Sequence, residues 1–397
     1  MRNAGEIPGS RPASQSGGTR KKRLGVYIHY PFCVRKCAYC DFLSAPGSDL
    51  AREAYLAALC REIREMEHVF RNAEIRSVFI GGGTPSLMSP EDFIRLSDAL
   101  HDAASDWEPD AEWTIEANPG TVTPEKARCW KAQGVNRVSM GMQAAQNGLL
   151  KRIGRIHTMD DVRKSFEMLR DAGFDNLSLD LMMGLPGQSR EDWQETLEEA
   201  LVLQPEHLSC YSLIVEEGTP LLDWIESGRM TLPDEETERS MYDDTLKILG
   251  AAGFEQYEIS NFAKPGRESR HNLSYWDLSE YLGLGLGASS YIDGKRIKNT
   301  ADLQSYIKAE YPAELAEVEE TLTPEDKMSE WMFLGLRKTA GVSDTDFAEK
   351  FGRSFMEVYP DQIRQLVHDG LLEQKGDRLC LTRRGLDLAN IVFEAFI

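Results

Sequence analysis

The sequence predicts an α/β fold in which a partial (β/α)6 barrel is followed by a winged-helix-like α+β domain. Between residues 24 and 214, short β-like runs alternate six times with helical periods, and residues 326–397 contain helical stretches followed by a hairpin. Repeated β-then-α units imply a parallel sheet. Polar motifs directly after the β-like runs are typical of a barrel, whose site lies at the C-terminal ends of its strands. A doubly wound sheet alternates in the same way, so this pattern leaves that architecture open.

Each predicted element has a local signal. After the first strand, Leu56, Leu59 and Ile63 step by three or four residues and mark the buried face of a helix. Ser89 and Pro90 supply an N-cap and a first-turn proline for the next helix. The predicted strands are residues 24–29, 77–80, 113–117, 135–140, 177–182 and 207–213.

Composition divides the rest of the chain. Residues 1–23 are rich in Gly, Ser, Pro and Arg and predict a disordered leader, with a transit peptide as the alternative. Residues 24–308 form the predicted core, and residues 309–325, rich in Glu, Pro and Ala, the predicted linker. Residues 326–397 hold ten Lys or Arg against twelve Asp or Glu. Nucleic-acid readers carry a basic surface, so we expect this last domain to pack or to dock a protein.

Charge and hydropathy exclude several classes of protein. The chain has 45 Lys or Arg against 65 Asp or Glu, a net charge of −20, which argues against attraction to nucleic acid or anionic lipid. No apolar run approaches the roughly 20 residues of a transmembrane helix. The first residues also lack the apolar segment of a signal peptide. The sequence therefore predicts a cytoplasmic protein without a transmembrane segment.

Three of the seven cysteines are clustered. Cys33, Cys37 and Cys40 fall within eight residues, and the other four are scattered singly, unlike a disulfide framework. Thiolates are soft ligands that suit iron–sulfur clusters and zinc. A cubane cluster on three thiolates leaves one iron open, whereas structural zinc takes four ligands. The pattern favours a cluster, and a zinc loop completed by a distant ligand stays open.

Polar residues follow the later strands. A Gly-Gly-Gly-Thr-Pro run follows the second strand, Glu116 lies at the end of the third, Gln143 follows the fourth and Asp180 lies within the fifth, with Arg155 in an intervening loop. Glycines let the backbone approach a ligand closely. An isolated Asp in an apolar strand needs a partner, either a ligand hydroxyl or Arg155. Each residue alone could be an internal ion pair or a cap, but together they predict a site.

The spacing Cys-x3-Cys-x2-Cys, with an aromatic residue before the last cysteine, resembles the radical S-adenosylmethionine (radical-SAM) superfamily. The resemblance implies a radical-SAM barrel and a [4Fe–4S] cluster held by Cys33, Cys37 and Cys40. In that superfamily the cluster donates one electron to the sulfonium of SAM, and the protein supplies position and electrostatics. The SAM contacts that the resemblance implies are Tyr27, Tyr39, Gly82, Gly83, Thr84, Glu116, Gln143, Arg155, Asp180 and Ile214.

The order and spacing of four motifs are similar to one branch of that superfamily, the oxygen-independent coproporphyrinogen III oxidases and the related heme chaperones. The similarity runs from about residue 25 to the C-terminus. The oxidases carry a fourth cysteine two residues after the third, where this chain has Phe42. Residues 271–276 are similar to the chaperones' His-Asn-x-x-Tyr-Trp motif, which implies that His271 binds heme. Without the family pattern, His271 would be interpreted as a loop histidine bonded to backbone.

The resemblance implies a heme chaperone that binds a [4Fe–4S] cluster, SAM and heme. Its implied partners are heme, an electron donor for the cluster and apo-hemoproteins, including respiratory enzymes, which would bring it to the membrane periphery. The alternative is oxygen-independent coproporphyrinogen III dehydrogenase, which decarboxylates propionates. A nucleic-acid-modifying radical enzyme is a third hypothesis, and the balanced charge of residues 326–397 argues against it. No catalytic residue is assigned, so whether the chain is an enzyme stays open.

Overall fold

The computed structural model describes residues 21–397. In the described part, one sheet of twelve strands has the order β14-β13-β12-β11-β1-β4-β5-β6-β7-β8-β10-β9. The strands in chain order are β1 (Lys22–Tyr30), β2 (Phe32–Cys33), β3 (Ala45–Pro46), β4 (Ala73–Gly82), β5 (Trp107–Ala117), β6 (Arg137–Gln143), β7 (Leu177–Met183), β8 (His207–Ser212), β9 (Glu255–Gln256), β10 (Asn261–Ala263), β11 (Tyr281–Leu284), β12 (Ser289–Ile292), β13 (Lys295–Lys298), β14 (Glu317–Thr321), β15 (Val342–Ser343), β16 (Leu372–Lys375) and β17 (Arg378–Leu381).

The six predicted strands are confirmed as β1, β4, β5, β6, β7 and β8. They are parallel neighbours in the order of the sequence. A doubly wound sheet reverses its strand order at a switch point, so the sequential order rules out that alternative. The order has two ends, at β14 and β9, and the described strands therefore form an open, partial barrel.

Both edges of the barrel carry strands that the sequence analysis missed. On one edge β11 runs parallel to β1, and β12, β13 and β14 continue the sheet in antiparallel pairs. On the other edge β10 and β9 continue from β8. Residues 309–325, predicted as a linker, contain the 3-10 helix Pro312–Leu315 and β14. The predicted linker thus contains a strand of the sheet, because β14 pairs with β13.

Side-chain caps begin many of the helices, including the predicted cap at Ser89. The side chain of Ser89 accepts from the Asp92 N–H, and the side chain of Thr158 forms a capping box with Asp161. The helices are α1 (Asp49–Glu65), α2 (Glu67–Phe70), α3 (Pro90–Ala103), α4 (Pro124–Ala132), α5 (Asn147–Arg152), α6 (Met159–Asp171), α7 (Arg190–Val202), α8 (Pro220–Glu226), α9 (Glu235–Ala251), α10 (Arg270–Trp276), α11 (Leu303–Lys308), α12 (Pro324–Gly335), α13 (Asp344–Phe351), α14 (Phe355–Val358), α15 (Pro360–His368), α16 (Arg383–Asp387) and α17 (Ala389–Glu394).

Two hydrophobic cores support two domains. The larger core lies between the barrel sheet and its helices, and includes the predicted helix face of Leu56, Leu59 and Ile63. The smaller core joins α12 to α17 with the sheet β15-β17-β16. Helices and a hairpin around their own core agree with the predicted C-terminal domain, although α12 begins two residues before residue 326 because Thr323 caps it.

The sequence also predicts an N-terminal leader and no transmembrane segment. The predicted leader falls mostly on residues 1–20, outside the described residues. Its last two residues, Lys22 and Arg23, belong to β1, where Lys22 pairs with Asp293 and Arg23 with Glu108. Among the helices of residues 21–397, none combines the length and hydropathy needed to cross a bilayer.

Candidate functional site

The loop after β1 presents the three clustered cysteines at the C-terminal edge of the barrel. The short strands β2 and β3 pair across the base of this loop. Arg35 Nη2 donates to the Gly154 carbonyl (2.7 Å), and Lys36 Nζ donates to the Phe42 carbonyl (2.9 Å). The Ala38 N–H donates to the Ile153 carbonyl (3.0 Å). These bonds hold the loop against the turn that follows α5.

Cys33, Cys37 and Cys40 line one cavity and are all partly exposed to it. Within residues 21–397, no three His, Cys, Asp or Glu side chains are placed to hold a single metal ion. A zinc site needs its sulfurs about 2.3 Å from one ion. In a cubane cluster each thiolate binds a different iron, so the sulfurs stand farther apart. Three thiolates that line one cavity are a soft donor set of the kind that iron–sulfur clusters take.

Hydrogen-bond donors and positive charge lie beside the cysteine sulfurs. Thr84 Oγ1 donates to Cys33 Sγ (3.5 Å), and Arg155 Nη1 donates to Cys37 Sγ (3.7 Å). Burial raises the pKa of the Cys40 thiol, and the charge of Lys36 opposes that shift. Since the thiolate is the metal ligand, positive charge and hydrogen-bond donors assist binding.

The glycine run packs against the cysteine loop. The Gly83 N–H donates to the Tyr30 carbonyl (2.7 Å), and the Thr84 N–H donates to the Phe32 carbonyl (2.8 Å). A Cβ on Gly83 would stand 2.6 Å from the Phe32 carbonyl oxygen. Glycine is thus needed for a close backbone contact, as predicted. The contact, however, is with the backbone of the cysteine loop. Gly82 and Gly83 also line the cavity.

Two carboxylates face the cavity from adjacent parts of the sheet. Glu116 Oε2 accepts from the Gly82 N–H (3.1 Å), and Asp180 accepts from Ser139 Oγ (3.1 Å). Desolvation, reinforced by the charge of Asp180, raises the pKa of Glu116 to about 8. Desolvation also raises the pKa of Asp180. Buried carboxylates with few donors are suited to accept hydrogen bonds from ligand hydroxyls.

Arg155 joins several strand ends, and it does not form the hydrogen bond to Asp180 that was one of two alternatives for that carboxylate. Its Nη2 donates to Asn118 Oδ1 (2.7 Å) and to the Gly141 carbonyl (2.6 Å), and not to Asp180. A Cβ on Gly141 would stand 2.7 Å from this Nη2, so a larger residue there would displace the guanidinium. The buried Nε has no hydrogen-bond partner within the described chain and is available to a ligand acceptor.

Gln143 lines the cavity in a strained backbone conformation. Its φ is 64°, in the left-handed region, and its side chain is buried. Non-glycine residues in this region cost of order 1 kcal/mol or more and cluster at functional sites. At the same place, the pairing of β6 with β7 shifts its register between Gly141 and Gln143.

Most of the predicted site residues are brought together. Tyr27 borders an adjoining cavity that shares Gly82 and Glu116, whereas Ile214 lies in a separate groove. The sequence analysis missed Asn118. Its side chain donates to Thr84 Oγ1 (2.8 Å) and accepts from Arg155. The Glu-Ala-Asn-Pro motif that contains it could have identified it. The predicted residues that line the main cavity are Cys33, Cys37, Tyr39, Cys40, Gly82, Gly83, Thr84, Glu116, Gln143, Arg155 and Asp180.

Comparison with known proteins agrees with this geometry. Residues 27–200 match the model of the radical SAM superfamily, and residues 322–388 match the model of the HemN C-terminal domain. The chain is 42% identical over 374 residues to the heme chaperone HemW of Bacillus subtilis (strain 168), covering 94% of this chain and 98% of that protein. This chain belongs to the HemW family.

Other relatives support the same family and fold. The heme chaperone HemW of Escherichia coli (strain K12) is 34% identical over 380 residues, covering 94% of this chain and 98% of that protein. The solved structure of coproporphyrinogen III oxidase (HemN) from Escherichia coli covers 95% of this chain and 90% of its own, with a TM-score of 0.82 and 22% identity. The HemW family therefore shares its α/β architecture with that oxidase.

The family motif at residues 271–276 lies on α10, inside the barrel. His271 is buried and stacks on Phe79, with 5.2 Å between ring centroids. Its Nδ1 is 2.8 Å from Ser77 Oγ and its Nε2 is 2.9 Å from the Tyr275 hydroxyl. Burial, aided by the charge of Arg137, lowers the pKa of His271 to about 3.

This placement bears on both interpretations of His271, and its binding of heme stays a prediction. Its ring nitrogens are bonded to side-chain hydroxyls, so it is not a loop histidine bonded to backbone. Neither nitrogen is free for heme iron in this conformation. The physical reason is that α10 packs His271 toward β4, and leaves Tyr275 between the histidine and the adjoining cavities.

Proposed function

We propose that this chain is a heme chaperone, which binds a [4Fe–4S] cluster, SAM and heme and passes heme to apo-hemoproteins. The observation that carries the proposal is the 42% identity to a heme chaperone along 98% of that protein's length. We place the chaperone in the cytoplasm, with respiratory enzymes at the membrane among its recipients and a cellular electron donor for its cluster.

In this proposal the cysteine cavity is the cofactor site. The thiolates of Cys33, Cys37 and Cys40 hold the cluster, and its fourth iron is left for the amine and carboxylate of SAM. When reduced, the cluster supplies one electron to the SAM sulfonium. The Gly82–Thr84 backbone and the free Arg155 Nε are suited to hold the methionine part of SAM.

The remaining cavity residues have separate tasks. Glu116 and Asp180 are placed to accept hydrogen bonds from ribose hydroxyls, because both open onto the cavity and have few protein donors. Tyr39 and Gln143 form further parts of the cavity wall. Tyr27 reaches the site from the adjoining cavity. His29 Nε2 bonds the Leu43 carbonyl (2.8 Å), so its Nδ1 accepts from the Tyr27 hydroxyl (3.0 Å) and fixes that ring.

Coproporphyrinogen III dehydrogenase is the second candidate, and the similarity of fold to the HemN oxidase favours it. Phe42 argues against it. This residue occupies the position of the oxidases' fourth cysteine, at the rim of the cavity, with 60% of its surface exposed. A phenyl ring cannot replace a thiol in redox or acid–base chemistry.

One experiment separates the two functions. The cluster is reconstituted anaerobically in the full chain, SAM and dithionite are added, and the protein receives either coproporphyrinogen III or heme. We expect saturable heme binding, transfer of that heme to apomyoglobin and no decarboxylated porphyrinogen. Turnover of coproporphyrinogen III above the rate of a Cys37→Ser control would refute the chaperone function.

A further inference from the structure

A narrow cleft beside the cysteine loop leads from the surface to Cys37. Its lining includes Val34, Arg35, Cys37 and Ile156, and its volume is about 30 Å³. Of the three clustered cysteines, Cys37 borders both this cleft and the main cavity. Val34 is 52% exposed and Ile156 is 56% exposed, so the cleft opens to the surface. A protein resting on this surface would therefore come close to Cys37 without entering the main cavity.

The size of the cleft excludes an organic cofactor. Pockets for cofactors usually have volumes of roughly 300–1,000 Å³, whereas this cleft has room for water only. Its rim, however, carries the exposed apolar side chains of Val34 and Ile156 together with the guanidinium of Arg35. Apolar side chains combined with arginine on an open surface are typical of protein-docking sites. The rim, rather than the interior, is therefore the part of the cleft suited to recognition.

The charge of this rim is positive, although the whole chain carries a net charge of −20. Arg35 Nη2 donates to the backbone carbonyls of Gly154 (2.7 Å) and Arg155 (3.4 Å), and Arg35 forms no ion pair within the described residues. The last two residues of α5, Lys151 and Arg152, are also exposed. No Asp or Glu is among the described residues that line the cleft. The rim thus presents cations that no carboxylate of the lining neutralises.

Carboxylates that follow the cleft residues in sequence do not cancel this charge. Asp41 is the single acidic residue of the cysteine loop, residues 33–42, which also holds two cations. At the start of α6, Asp161 belongs to the capping box, and Asp160 lies 3.6 Å from the ammonium nitrogen of Lys164. An acidic partner is therefore attracted to the rim while the net charge of the chain repels it elsewhere, which orients the encounter.

We propose that the rim formed by Val34, Arg35 and Ile156 docks a small acidic one-electron carrier protein, which reduces the cluster through Cys37. The inference rests on the cluster assignment within the proposed function and is independent of heme binding. Electron transfer slows steeply with distance, and the rim is the surface that brings a partner close to a cluster ligand without entering the SAM cavity. Weak encounters of electron carriers bury little area, so a small docking surface is sufficient.

The transfer balances with the carrier as the reductant. The reduced carrier loses one electron, the cluster gains that electron, and no covalent bond forms or breaks. Arg155 Nη1 donates to Cys37 Sγ (3.7 Å), so a positive charge lies beside the sulfur through which the electron passes. This charge favours the added negative charge, and the oxidised carrier then leaves the rim.

The test measures carrier binding and cluster reduction separately in the full chain. The probe is a bacterial flavodoxin, an acidic protein whose flavin hydroquinone donates one electron. Calorimetry with oxidised flavodoxin gives its affinity for the chain with and without the reconstituted cluster, at low and at high salt. Anaerobic stopped-flow absorbance gives the rate at which flavodoxin hydroquinone reduces the cluster. Dithionite, a small reductant that needs no docking surface, provides the reference rate.

Two variants place a negative charge on the rim, Ile156→Glu and Arg35→Glu. Val318→Glu is the matched control for the first, because Val318 on β14 is 54% exposed. Arg353→Glu is the control for the second, at an exposed position between α13 and α14. Circular dichroism and iron content verify folding and cluster loading, which is needed for Arg35→Glu because this side chain also holds the cysteine loop.

We expect flavodoxin to bind the wild-type chain more weakly at high salt, and both rim variants to bind it about ten-fold more weakly than wild type. Cluster reduction by flavodoxin should slow by a similar factor, whereas reduction by dithionite and both control variants should match wild type. Unchanged flavodoxin affinity in Ile156→Glu and Arg35→Glu overturns docking at the rim and leaves the cluster assignment intact.

Two other results also decide the matter. Self-association of the chain that Ile156→Glu abolishes, without flavodoxin binding, overturns the carrier and assigns the rim to a second copy of this chain. Failure to load a cluster that dithionite can reduce overturns the cluster assignment itself.

Discussion

Burial shifts the pKa values of ionisable side chains in and beside the cysteine cavity. Glu116 keeps its proton to about pH 8, while the positive charge of Arg155 lies beside Cys37. Outside the cysteine cavity, burial and the charge of Arg155 lower the pKa of His157 to about 4. Such shifts follow from desolvation and neighbouring charge, and they concentrate where a protein binds or transforms a ligand.

Replacing one clustered cysteine should abolish the cluster. Cys37→Ser removes a soft ligand that Arg155 supports at 3.7 Å, and a serine oxygen is a poor ligand for iron–sulfur clusters. We expect loss of the brown absorption and of most cluster iron after anaerobic reconstitution. Cys210→Ser, at a buried position away from the cavity, is the control. Normal iron and sulfide content in Cys37→Ser would contradict the assignment.

The protonation of Glu116 should appear in the pH dependence of stability. A carboxyl group whose pKa rises from 4.5 to about 8 on folding binds more protons in the folded state between those values. Its contribution is present in full below pH 4.5 and is lost as pH rises toward 8. Gln stays neutral, so Glu116→Gln should gain about 1–3 kcal/mol in the free energy of unfolding, relative to wild type, from pH 5 to pH 8.

Urea unfolding of the cofactor-free protein at both pH values measures this difference. Comparison with wild type removes the opposing contributions of buried histidines, whose lowered pKa values make stability rise with pH. The exposed Glu198→Gln serves as the control for a lost surface charge. Parallel pH profiles for wild type and Glu116→Gln would show that Glu116 is ionised in the folded protein.

At the scale of elements, the site is made by loops that meet at one edge of the parallel sheet. The cysteine loop follows β1 and the glycine run ends β4, and both strands pair in register up to Tyr30 and Gly82. Strand order and the position of each motif could be predicted from sequence because both follow local periodicity. The packing of one loop on the other could not, because no local pattern encodes a contact between distant segments.

The contact between these two loops gives a test. Gly83→Ala places a methyl group 2.6 Å from the Phe32 carbonyl oxygen and 2.8 Å from that of Tyr30. Since both neighbours are backbone, we expect the free energy of unfolding to fall by about 1–3 kcal/mol and cluster loading to fall with it. Gly148→Ala is the matched control, because nothing lies within 4 Å of its added methyl group. Denaturant titration and iron analysis of both variants check the prediction.

At the scale of the whole molecule, the C-terminal domain closes one side of a groove that residues at the end of β8, α10 and α17 also line. The Thr339 N–H donates to the Tyr257 carbonyl (3.1 Å), and Lys338 pairs with Asp277. Arg337 Nη2 lies 3.6 Å from Glu258 Oε2, a carboxylate that is 1% exposed. The junction therefore depends on ion pairs and hydrogen bonds in addition to apolar contact.

Removing the Arg337 guanidinium from this junction should leave the Glu258 carboxylate buried without its charge partner. Because Arg337 is partly exposed, we expect Arg337→Ala to cost about 1–3 kcal/mol in the free energy of unfolding. The surface pair of Arg364 and Asp361 provides the control, and Arg364→Ala should cost about 0.5 kcal/mol or less. Equal unfolding midpoints in urea for the two variants would show that the junction does not depend on the ion pair.

The sequence by itself determined the six parallel strands, the separate C-terminal domain and most of the cavity residues, because periodicity, caps and motif spacing are local properties of the chain. Tertiary structure alone decided that further strands extend the barrel sheet at both edges, that Arg155 bonds Asn118 rather than Asp180, and that His271 is covered by Tyr275. These features depend on contacts between segments far apart in sequence, whose partners are selected by packing and burial of the complete fold.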